Sequence, residues 1–417
     1  DLSGGPFEPG ATAESDASSE IEFTLDLPAV TPVLRITGGT GSDHLVAGAG
    51  GINLNAGETN GDADVLITGN PAIVLFGGDG DDVLSVGGGM GTGDPGAGAT
   101  VLGEAGADLL LGATGGSAFD GGAGIDELDY GAATNPVQAD LGAGRTDHQG
   151  GGADSVAAIE NLTGSPGNDH IVGDAVANVL RGGAGDDRLQ GLGGDDTLAG
   201  GDGTDTVDLS SAASVFVDLG AGTAGGEGSD TLVEIENVIG SPGDDVLKGD
   251  NGPNSLQGGA GADTLEGAGG DDTLDGGGGS DTVSYRTSDQ AVNVNLAKGT
   301  ATGAGSDTIV DVENVDGSRF KDVIQGNELR NRLDGRSGPD EISGHGGRDF
   351  ILGRGGNDLL FGQRGNDVLR GGPGRDQLDG GAGNDVCKGG PDPDSYVFCE
   401  NFPTVRLPAG VWFREAA

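Results

Sequence analysis

The chain has 417 residues, of which 91 are glycine and only 4% are aromatic, so no large aromatic core can form. Its 68 acidic and 20 basic residues give a net charge of −48, which excludes nucleic acid as a natural partner, because like charges repel. It has no transmembrane segment of about 20 apolar residues, and glycine does not follow the collagen period of three. Such a composition is typical of disordered chains, but here the glycines and carboxylates are periodic.

The amino-terminal third carries the weakest periodicity. Residues 1–37 lack a repeat and are rich in small and acidic residues, which predicts an acidic lead-in or linker. Degenerate nine-residue repeats follow over 38–129, with Ile52 and Ser117 in place of an expected aspartate. We therefore expect this part to hold the fewest metal ions.

Three uninterrupted nine-residue arrays cover 164–208, 240–284 and 317–397. Their consensus is Gly-Gly-x-Gly-x-Asp-x-aliphatic-x. Glycines at the first, second and fourth positions suit a tight turn, and the sixth-position aspartate is an oxygen ligand of the kind a hard cation prefers. The last three positions predict a short strand whose middle residue, such as Leu189, points inward.

Spacers of about 31 residues separate the arrays. Each contains an Ile/Val-Glu-Asn motif at Glu160, Glu236 or Glu313. Each also hides one further nonad whose sixth residue is an aspartate, so we interpret the spacers as slightly irregular coils of the same roll. The hidden aspartates are Asp154, Asp230 and Asp307. The predicted segments after the lead-in are therefore degenerate repeats 38–129, spacer plus array 130–208, 209–284 and 285–397, and a carboxyl-terminal cap or tail 398–417.

The consensus resembles the RTX (repeats-in-toxin, haemolysin-type) calcium-binding nonapeptide. The resemblance implies an all-β fold, a right-handed parallel β-roll that forms a calcium-loaded β-solenoid, elongated and in one continuous stack. It also implies calcium between each turn and the turn two repeats later. The metal ligands that it implies are Asp43, Asp82, Asp108, Asp126, Asp169, Asp187, Asp196, Asp205, Asp245, Asp263, Asp272, Asp281, Asp322, Asp340, Asp349, Asp358, Asp367, Asp376 and Asp385.

Pairing these aspartates two repeats apart gives on the order of ten calcium ions per chain. The implied pairs are 169/187, 187/205, 245/263, 263/281, 322/340, 340/358, 349/367, 358/376, 367/385 and 108/126. Asparagine takes the aspartate position in the second nonad of each array, at Asn178, Asn254 and Asn331. An amide oxygen lacks charge, so we expect the sites that pair these residues with Asp196, Asp272 and Asp349 to be weaker.

Metal binding is expected to drive folding. One buried aliphatic side chain per nonad contributes about 1.5–3 kcal/mol, against about 1–2 kcal/mol of backbone entropy for each of nine residues. The sequence therefore predicts a chain that is disordered without calcium and folds on binding it. Because calcium is abundant outside cells, we expect a secreted or extracellular protein, with association to the cell surface left open, and a structural or adhesive role.

The only two cysteines, Cys387 and Cys399, bracket the junction between the last coil and the tail. We expect a disulfide that fixes a cap, consistent with an oxidising compartment, although two buried thiols are the alternative. The tail, which includes Trp412, is expected to cover the last coil rather than to act as an export signal. The start at Asp1 suggests a mature or trimmed chain without a signal peptide.

No catalytic motif stands out, so we expect a protein that is not an enzyme and has no catalytic residues. The four histidines are scattered, and Gly-x-Gly-x-x-Gly strings lack a strand–helix context. Arginines are concentrated between Arg319 and Arg375, where they relieve repulsion among aspartates or grip an acidic polysaccharide. Two alternatives stay open: a carboxyl-terminal secretion and folding module of a larger extracellular enzyme or toxin, and a polysaccharide-modifying enzyme.

Overall fold

The computed structural model describes residues 74–86, 98–112, 116–149 and 151–400, together with the backbone of five short strands nearer the amino terminus. The described residues form strands and turns, with no helix among them. Consequently, no helix in this part of the chain could cross a membrane. The predicted all-β class is confirmed.

The strands are short, as the three-residue strand positions of the nonads predict. The first part of the chain contains β1 (Phe23–Leu25), β2 (Leu34–Thr37), β3 (His44–Ala47), β4 (Ile52–Asn55), β5 (Val65–Thr68), β6 (Val74–Asp79), β7 (Val83–Val86), β8 (Thr100–Gly106), β9 (Leu109–Leu111), β10 (Ala118–Gly124) and β11 (Glu127–Asp129). The next part contains β12 (Val137–Asp140), β13 (Arg145–His148), β14 (Ala153–Ala157), β15 (Asn161–Thr163), β16 (His170–Val172), β17 (Val179–Ala184), β18 (Arg188–Gln190), β19 (Thr197–Asp202), β20 (Thr206–Asp208), β21 (Phe216–Asp218), β22 (Thr223–Gly225), β23 (Ser229–Val233) and β24 (Asn237–Ile239).

The remaining strands follow the same pattern through the second and third arrays. They are β25 (Val246–Lys248), β26 (Ser255–Gly261), β27 (Thr264–Glu266), β28 (Thr273–Gly279), β29 (Thr282–Ser284), β30 (Asn293–Asn295), β31 (Thr300–Thr302), β32 (Ser306–Val310), β33 (Asn314–Asp316), β34 (Val323–Gln325), β35 (Arg332–Asp334), β36 (Glu341–Ser343), β37 (Gly346–Gly347), β38 (Phe350–Leu352), β39 (Leu359–Phe361), β40 (Arg364–Gly365), β41 (Val368–Arg370), β42 (Gln377–Asp379), β43 (Val386–Lys388) and β44 (Ser395–Val397).

The chain divides into two compact units. One comprises Asp1–Ser211 and Ala221–Asn237, and the other comprises Ala212–Gly220 and Val238–Ala417. The chain therefore passes between the units within the second spacer.

Within each unit, strands two nonads apart pair in parallel. In the first unit, β17 pairs with β19 so that Leu180 lies opposite Leu198. In the second unit, β36, β39 and β42 stack in the same way, in parallel pairs. Because successive strands alternate between two ladders, two nonads complete one coil, which confirms the parallel β-roll.

The core is the row of middle residues of these strands. Leu189, Leu274 and Ile351 are fully buried, and the same position is buried in the other nonads of the arrays except the last, where Tyr396 is half-buried. Residues on either side point outward, as in β18, where Leu189 is buried between an exposed and a half-buried neighbour. This narrow core fits the prediction of about one buried aliphatic side chain per nonad.

The spacers depart from the all-parallel arrangement. In the first spacer, β13 pairs antiparallel with both β12 and β14, and in the third, β31 pairs antiparallel with β30 and β32. In the second spacer, β22 and β23 are antiparallel. The final strand of each excursion then rejoins a parallel ladder, for example with Leu232 opposite Leu198. These hairpins were not predicted, because a hidden nonad alone does not reveal that the chain first doubles back.

Candidate metal-binding columns

The predicted ligands form linked stacks. In each stack, the backbone N–H of one sixth-position residue donates to the Oδ1 atom of the next, usually 18 residues later. Asp322 donates to Asp340 at 2.8 Å, and Asp340 donates to Asp358 at 3.0 Å. We call each such stack a carboxylate column. The turns therefore stack with their carboxylates in register.

The columns that lie outside the spacers are short chains of these bonds. They are 108–126, 169–187–205, 178–196, 245–263–281, 254–272, 322–340–358–376–394 and 331–349–367–385. All ten aspartate pairs implied by the sequence are among them, so the structure brings together the partners that the periodicity suggested.

Burial of the carboxylates is nearly complete. Asp43 lies outside the described residues, and the other eighteen predicted ligands are buried, exposing 3% or less. In thirteen of them the second carboxylate oxygen, Oδ2, is buried and has no hydrogen-bond partner. These are Asp108, Asp126, Asp187, Asp196, Asp205, Asp263, Asp281, Asp340, Asp349, Asp358, Asp367, Asp376 and Asp385. A buried carboxylate oxygen without a partner is costly, so repeated instances point to a ligand.

Backbone oxygens converge on the same points. A Cβ placed on Gly182 would lie 2.1 Å from Asp187 Oδ2 and 2.7 Å from the carbonyl oxygen of Gly200, one coil further on. The fourth-position Gly203 has a left-handed φ of 150°, and a Cβ there would lie 1.9 Å from the carbonyl oxygen of Gly185. Only glycine tolerates this approach. The turns therefore bring carboxylate and carbonyl oxygens together, which is the donor set that calcium prefers.

The electrostatic cost is visible in the carboxyl pKa values. Burial, reinforced by the neighbouring Asp169 and Asp205, raises the pKa of Asp187 to about 7, although the N–H of Asp169 partly opposes the shift. Burial likewise raises the pKa of Asp340 to about 8. The negative form is disfavoured because the columns stack like charges away from water. A divalent cation between the turns would reverse that effect.

The described residues contain no group of three or more histidine, cysteine or acidic side chains that could hold a metal. Each step between two aspartates supplies two carboxylates, and each step that begins with Asn178, Asn254 or Asn331 supplies one. A calcium ion, which takes six to eight oxygen ligands, would need backbone carbonyl oxygens and water to complete its coordination. The converging glycine carbonyls are suited to that part.

The first aspartate of each array differs from those that follow. The N–H of Ser165 donates to Asp169 Oδ2 at 2.5 Å and the serine hydroxyl donates to Oδ1 at 2.8 Å. Ser241 and Ser318 bond Asp245 and Asp322 in the same way. These leading carboxylates are thus satisfied by their own turns.

The asparagine substitutions have a structural reason. The side-chain amide of Asn178 donates to the carbonyl oxygen of Glu160 at 2.8 Å, and that of Asn331 donates to the carbonyl oxygen of Glu313 at 2.8 Å. An aspartate has no N–H to make this bond. The weaker metal binding expected at these turns stays a prediction, but the amide already links consecutive coils there.

The hidden aspartates of the spacers join the columns. Asp230 accepts from the N–H of Asp196 at 3.0 Å, and Asp154 accepts from the N–H of Ser117 at 2.7 Å. In the first and third spacers a buried tyrosine hydroxyl takes the other oxygen. Tyr130 donates to Asp154 at 2.9 Å and Tyr285 donates to Asp307 at 2.8 Å.

The sequence analysis missed one column member, Asp394, and one pair, between the predicted ligands Asp82 and Asp108. Asp394 accepts from the N–H of Asp376 at 3.0 Å, and the unbroken nonad register of the third array would have revealed it. Asp82 donates its N–H to Asp108 at 2.8 Å although the two lie 26 residues apart. No fixed period could have identified this pair, because its separation is not the 18 residues of two nonads.

The other predicted features are placed as follows. Cys387 and Cys399 form a disulfide with a Cα–Cα distance of 5.8 Å, which confirms the predicted bridge. Several late arginines pair with acidic residues outside the columns. Arg332 bonds Asp316 at 2.7 Å, and Arg354 bonds Asp334 at 2.8 Å. These contacts neutralise the outer strand surface rather than the columns.

Comparison with protein families identifies the repeats. The model of the RTX calcium-binding nonapeptide repeat, which spans four copies, matches the chain eight times. The matched residues are 35–51, 150–175, 172–207, 235–252, 248–283, 325–360, 352–387 and 361–396. No curated protein matches the chain. The matches cover most of the three arrays, reach into the spacers and include one segment near the amino terminus.

Proposed function

Because this chain carries RTX calcium-binding nonapeptide repeats and is a calcium-binding repeat protein, we propose that it is a secreted, non-enzymatic scaffold that folds on binding multiple calcium ions. The observation that carries this proposal is the set of thirteen buried carboxylates whose Oδ2 atoms have no hydrogen-bond partner. Such a set is destabilising unless a cation satisfies it. The proposed role is structural or adhesive, because the described residues place their buried carboxylates in stacked columns that join neighbouring coils.

We propose the column aspartates as the ligands. Each ion would bind between successive members, such as Asp187 and Asp205 or Asp358 and Asp376, with carbonyl oxygens of the flanking turns completing its coordination. Calcium supplies two positive charges to each such pair. This would remove the repulsion within the column and join neighbouring coils, which share little apolar surface.

Coupling of binding to folding supports the proposed location. A ligand that binds only the folded state stabilises that state by mass action. The chain would therefore stay unfolded where free calcium is scarce and fold where it is plentiful, outside the cell. The disulfide between Cys387 and Cys399 is in keeping with an oxidising compartment.

The test combines circular dichroism with ion counting. We expect a disordered spectrum in excess chelator at pH 7.5, a β-rich spectrum in millimolar calcium, and about ten or more bound ions by native mass spectrometry. Magnesium at the same concentration is the matched control, because its demand for octahedral geometry disfavours such sites. An unchanged β spectrum in chelator, or one or two ions per chain, would contradict the proposal.

A second candidate function is binding of an acidic polysaccharide, favoured by a basic cavity in the third array. This cavity of about 420 Å³ is lined by Arg336, Arg354 and Arg370 beside the apolar Leu352 and Pro373. Guanidinium groups recognise carboxylates in a bidentate manner, and apolar side chains suit the face of a sugar ring. An arginine-lined cavity is unusual on a chain with a net charge of −48.

Polygalacturonate binding by the calcium-loaded protein tests this candidate, with neutral dextran as the control polymer. We expect binding that weakens with salt and is lost in the variant Arg336→Gln/Arg370→Gln. A second cavity of about 220 Å³, lined by Phe361, Gln363 and Asp379, contains no arginine, so Gln363→Ala is the matched control variant. Equal binding by both variants would contradict the candidate.

A further inference from the structure

Four of the columns end on a glutamate. These glutamates do not belong to the nine-residue period of the aspartates. At the end of four columns, the N–H that would donate to a further aspartate donates to a glutamate Oε2 instead. Asp126 donates to Glu160 at 2.9 Å and Asp205 donates to Glu236 at 2.8 Å. Asp281 donates to Glu313 at 2.9 Å, and Asp385 donates to Glu400 at 2.5 Å. The glutamate carboxylate therefore occupies the place of the next aspartate.

The backbone before each glutamate repeats one conformation. The residue two positions earlier is not glycine, yet it has a left-handed φ of 46–52° in all four copies. These residues are Ala158, Glu234, Asp311 and Phe398. Left-handed conformations are unfavourable for such residues, because the Cβ atom crowds the following carbonyl oxygen. Because this conformation recurs at four equivalent positions, it is a regular feature of these column ends.

The unusual turn delivers a carbonyl oxygen to the buried aspartate. A Cβ on Gly200 would lie 2.2 Å from the carbonyl oxygen of Glu234 and 2.4 Å from Asp205 Oδ2. The corresponding distances at Gly121 are 2.2 Å to the carbonyl oxygen of Ala158 and 2.6 Å to Asp126 Oδ2. This is the same convergence that Gly182 shows inside an array, with a different residue supplying the carbonyl.

Chain length explains why the ligand type changes. In a nonad the aspartate follows the first glycine by five positions, as Asp187 follows Gly182, whereas Glu236 follows Glu234 by only two. The shortened turn therefore has three residues fewer between the carbonyl and the carboxylate that it presents to the column. A glutamate has one methylene more than an aspartate, and this extra length lets its carboxylate reach the column.

The aspartate of each pair still needs a partner. Asp126, Asp205, Asp281 and Asp385 are each 0% exposed, and their Oδ2 atoms have no hydrogen-bond partner. Burial raises the pKa of Asp205, and the adjacent Glu236 raises it further. Each column end therefore combines a fully buried carboxylate oxygen, a converging backbone carbonyl and a second carboxylate.

We propose that Glu160, Glu236, Glu313 and Glu400 are calcium ligands, each completing a site with the aspartate whose N–H it accepts. This inference rests on the proposed calcium-dependent fold and adds four sites to those between aspartates. It also gives a role to the Ile/Val-Glu-Asn motifs of the spacers. The sequence Cys399-Glu400-Asn401 is then a fourth copy of the motif, 87 residues after Glu313.

The test is the variant Glu160→Gln/Glu236→Gln/Glu313→Gln/Glu400→Gln in the full chain. Glutamine keeps an oxygen that accepts the aspartate N–H, but it removes the negative charge. We expect four fewer calcium ions than in the wild-type protein by native mass spectrometry at saturating calcium, with the β-rich spectrum retained. The matched control is Glu341→Gln, which changes an exposed strand residue outside the columns and should leave the ion count unchanged.

The outcomes separate this inference from the proposed function. A wild-type protein that binds calcium in the expected number while the fourfold variant binds equally many would overturn the glutamate sites alone. A wild-type protein that binds one or two ions would overturn the proposed function together with them. Should the fourfold variant fail to fold, the four single variants decide the matter, because each is expected to lose one ion, and unchanged counts in all four would overturn the inference.

Discussion

The arrays and the spacers differ in what surrounds the second carboxylate oxygen of their buried aspartates. In the arrays, buried aspartates such as Asp187 and Asp358 keep an Oδ2 atom without a hydrogen-bond partner. In the first and third spacers, the corresponding oxygen of Asp154 or Asp307 accepts a bond from a buried tyrosine hydroxyl. A tyrosine satisfies one carboxylate permanently, whereas we propose that the array carboxylates bind an ion from solution.

The difference predicts where the dependence on calcium is located. Array coils consist of turns rich in glycine and aspartate and of short strands. We therefore expect their stability to depend on neutralisation of the carboxylate charges. Spacer hairpins add antiparallel hydrogen bonds and aromatic contacts, such as the edge-to-face packing of Phe119 and Tyr130 at 6.3 Å between ring centroids. Four experiments break or sharpen this contrast.

The largest expected effect is a reversal of pH dependence when calcium is removed. Burial raises the folded-state pKa values of the column carboxyls, to about 6 for Asp358 and about 8 for Asp340, from the ordinary aspartate value of 3.8. Protons thus favour the folded state: the contribution is fully present below pH 4 and is lost as the pH rises to about 8. In chelator, we expect the most β structure near pH 4 and progressively less toward pH 8.

Calcium should invert that trend, because protons compete with the ion for the same carboxylates. Circular dichroism melts from pH 4 to pH 8 at constant ionic strength, with chelator and with calcium, measure both slopes. Equal slopes under the two conditions would show that the column carboxyls do not bind the ion.

The next largest effect concerns the free energy of unfolding when a single column aspartate is neutralised. The sign of the change should depend on whether calcium is present. Asp358→Asn keeps an oxygen for the N–H of Asp340 but removes a buried charge. Without calcium the variant should be more stable than the wild-type protein. With calcium at 100 times Kd it should lose about 2.7 kcal/mol for each site that disappears. Chemical denaturation in both buffers measures the difference, and Asp289→Asn, in the third spacer, is the control.

A smaller effect concerns the end of the third array, where a disulfide takes the place of a spacer. Cys399 lies at the motif position that Ile235 and Val312 fill in the spacers, and it is buried like them. Removing the bridge with Cys387→Ser/Cys399→Ser should cost about 3 kcal/mol. Cys387→Val/Cys399→Ile should recover part of that loss by apolar burial. Thermal melts of the two variants in calcium compare them, and identical melting temperatures would contradict this interpretation.

The smallest effect tests the spacer chemistry itself. Tyr285→Phe removes the hydroxyl that donates to Asp307, which should cost about 1–3 kcal/mol. Tyr130→Phe should cost less, because His148 Nε2 also bonds Asp154 Oδ2, at 2.9 Å. Urea unfolding in saturating calcium measures both losses. If Tyr130→Phe is the more destabilising, the hydroxyl bond is not the decisive contact.

Much of the site could be predicted because its geometry is local. The sixth-position aspartate follows its glycines by a fixed number of residues, so every turn presents a carboxylate in the same way. Stacking two repeats apart then follows from the inward aliphatic residue of each strand, which must face the same core. Pairs such as Asp340 and Asp358 were therefore implied by the resemblance to the RTX repeat, applied at the observed spacing, and the structure brings them together.

The exceptions lie where the period is interrupted. Asp196 pairs with Asp230 across 34 residues, and Asp82 pairs with Asp108 across 26. The antiparallel hairpins and the glutamates at the column ends were not predicted either. In each case the partner depends on the path of an irregular segment, and spacing does not encode that path.

The sequence by itself determined the short strands, the inward aliphatic row and the regular spacing of the aspartates, because each follows from a repeat of fixed length. Its resemblance to the RTX repeat implied the all-β roll and the coil of two nonads. Only the tertiary structure decided how the ladder begins and ends. Whether a carboxylate meets a serine, an asparagine amide, a tyrosine hydroxyl, a glutamate or another aspartate depends on which turn is stacked against it. The spacers determine this, because they differ in length and bring side chains of different lengths to equivalent positions in the columns.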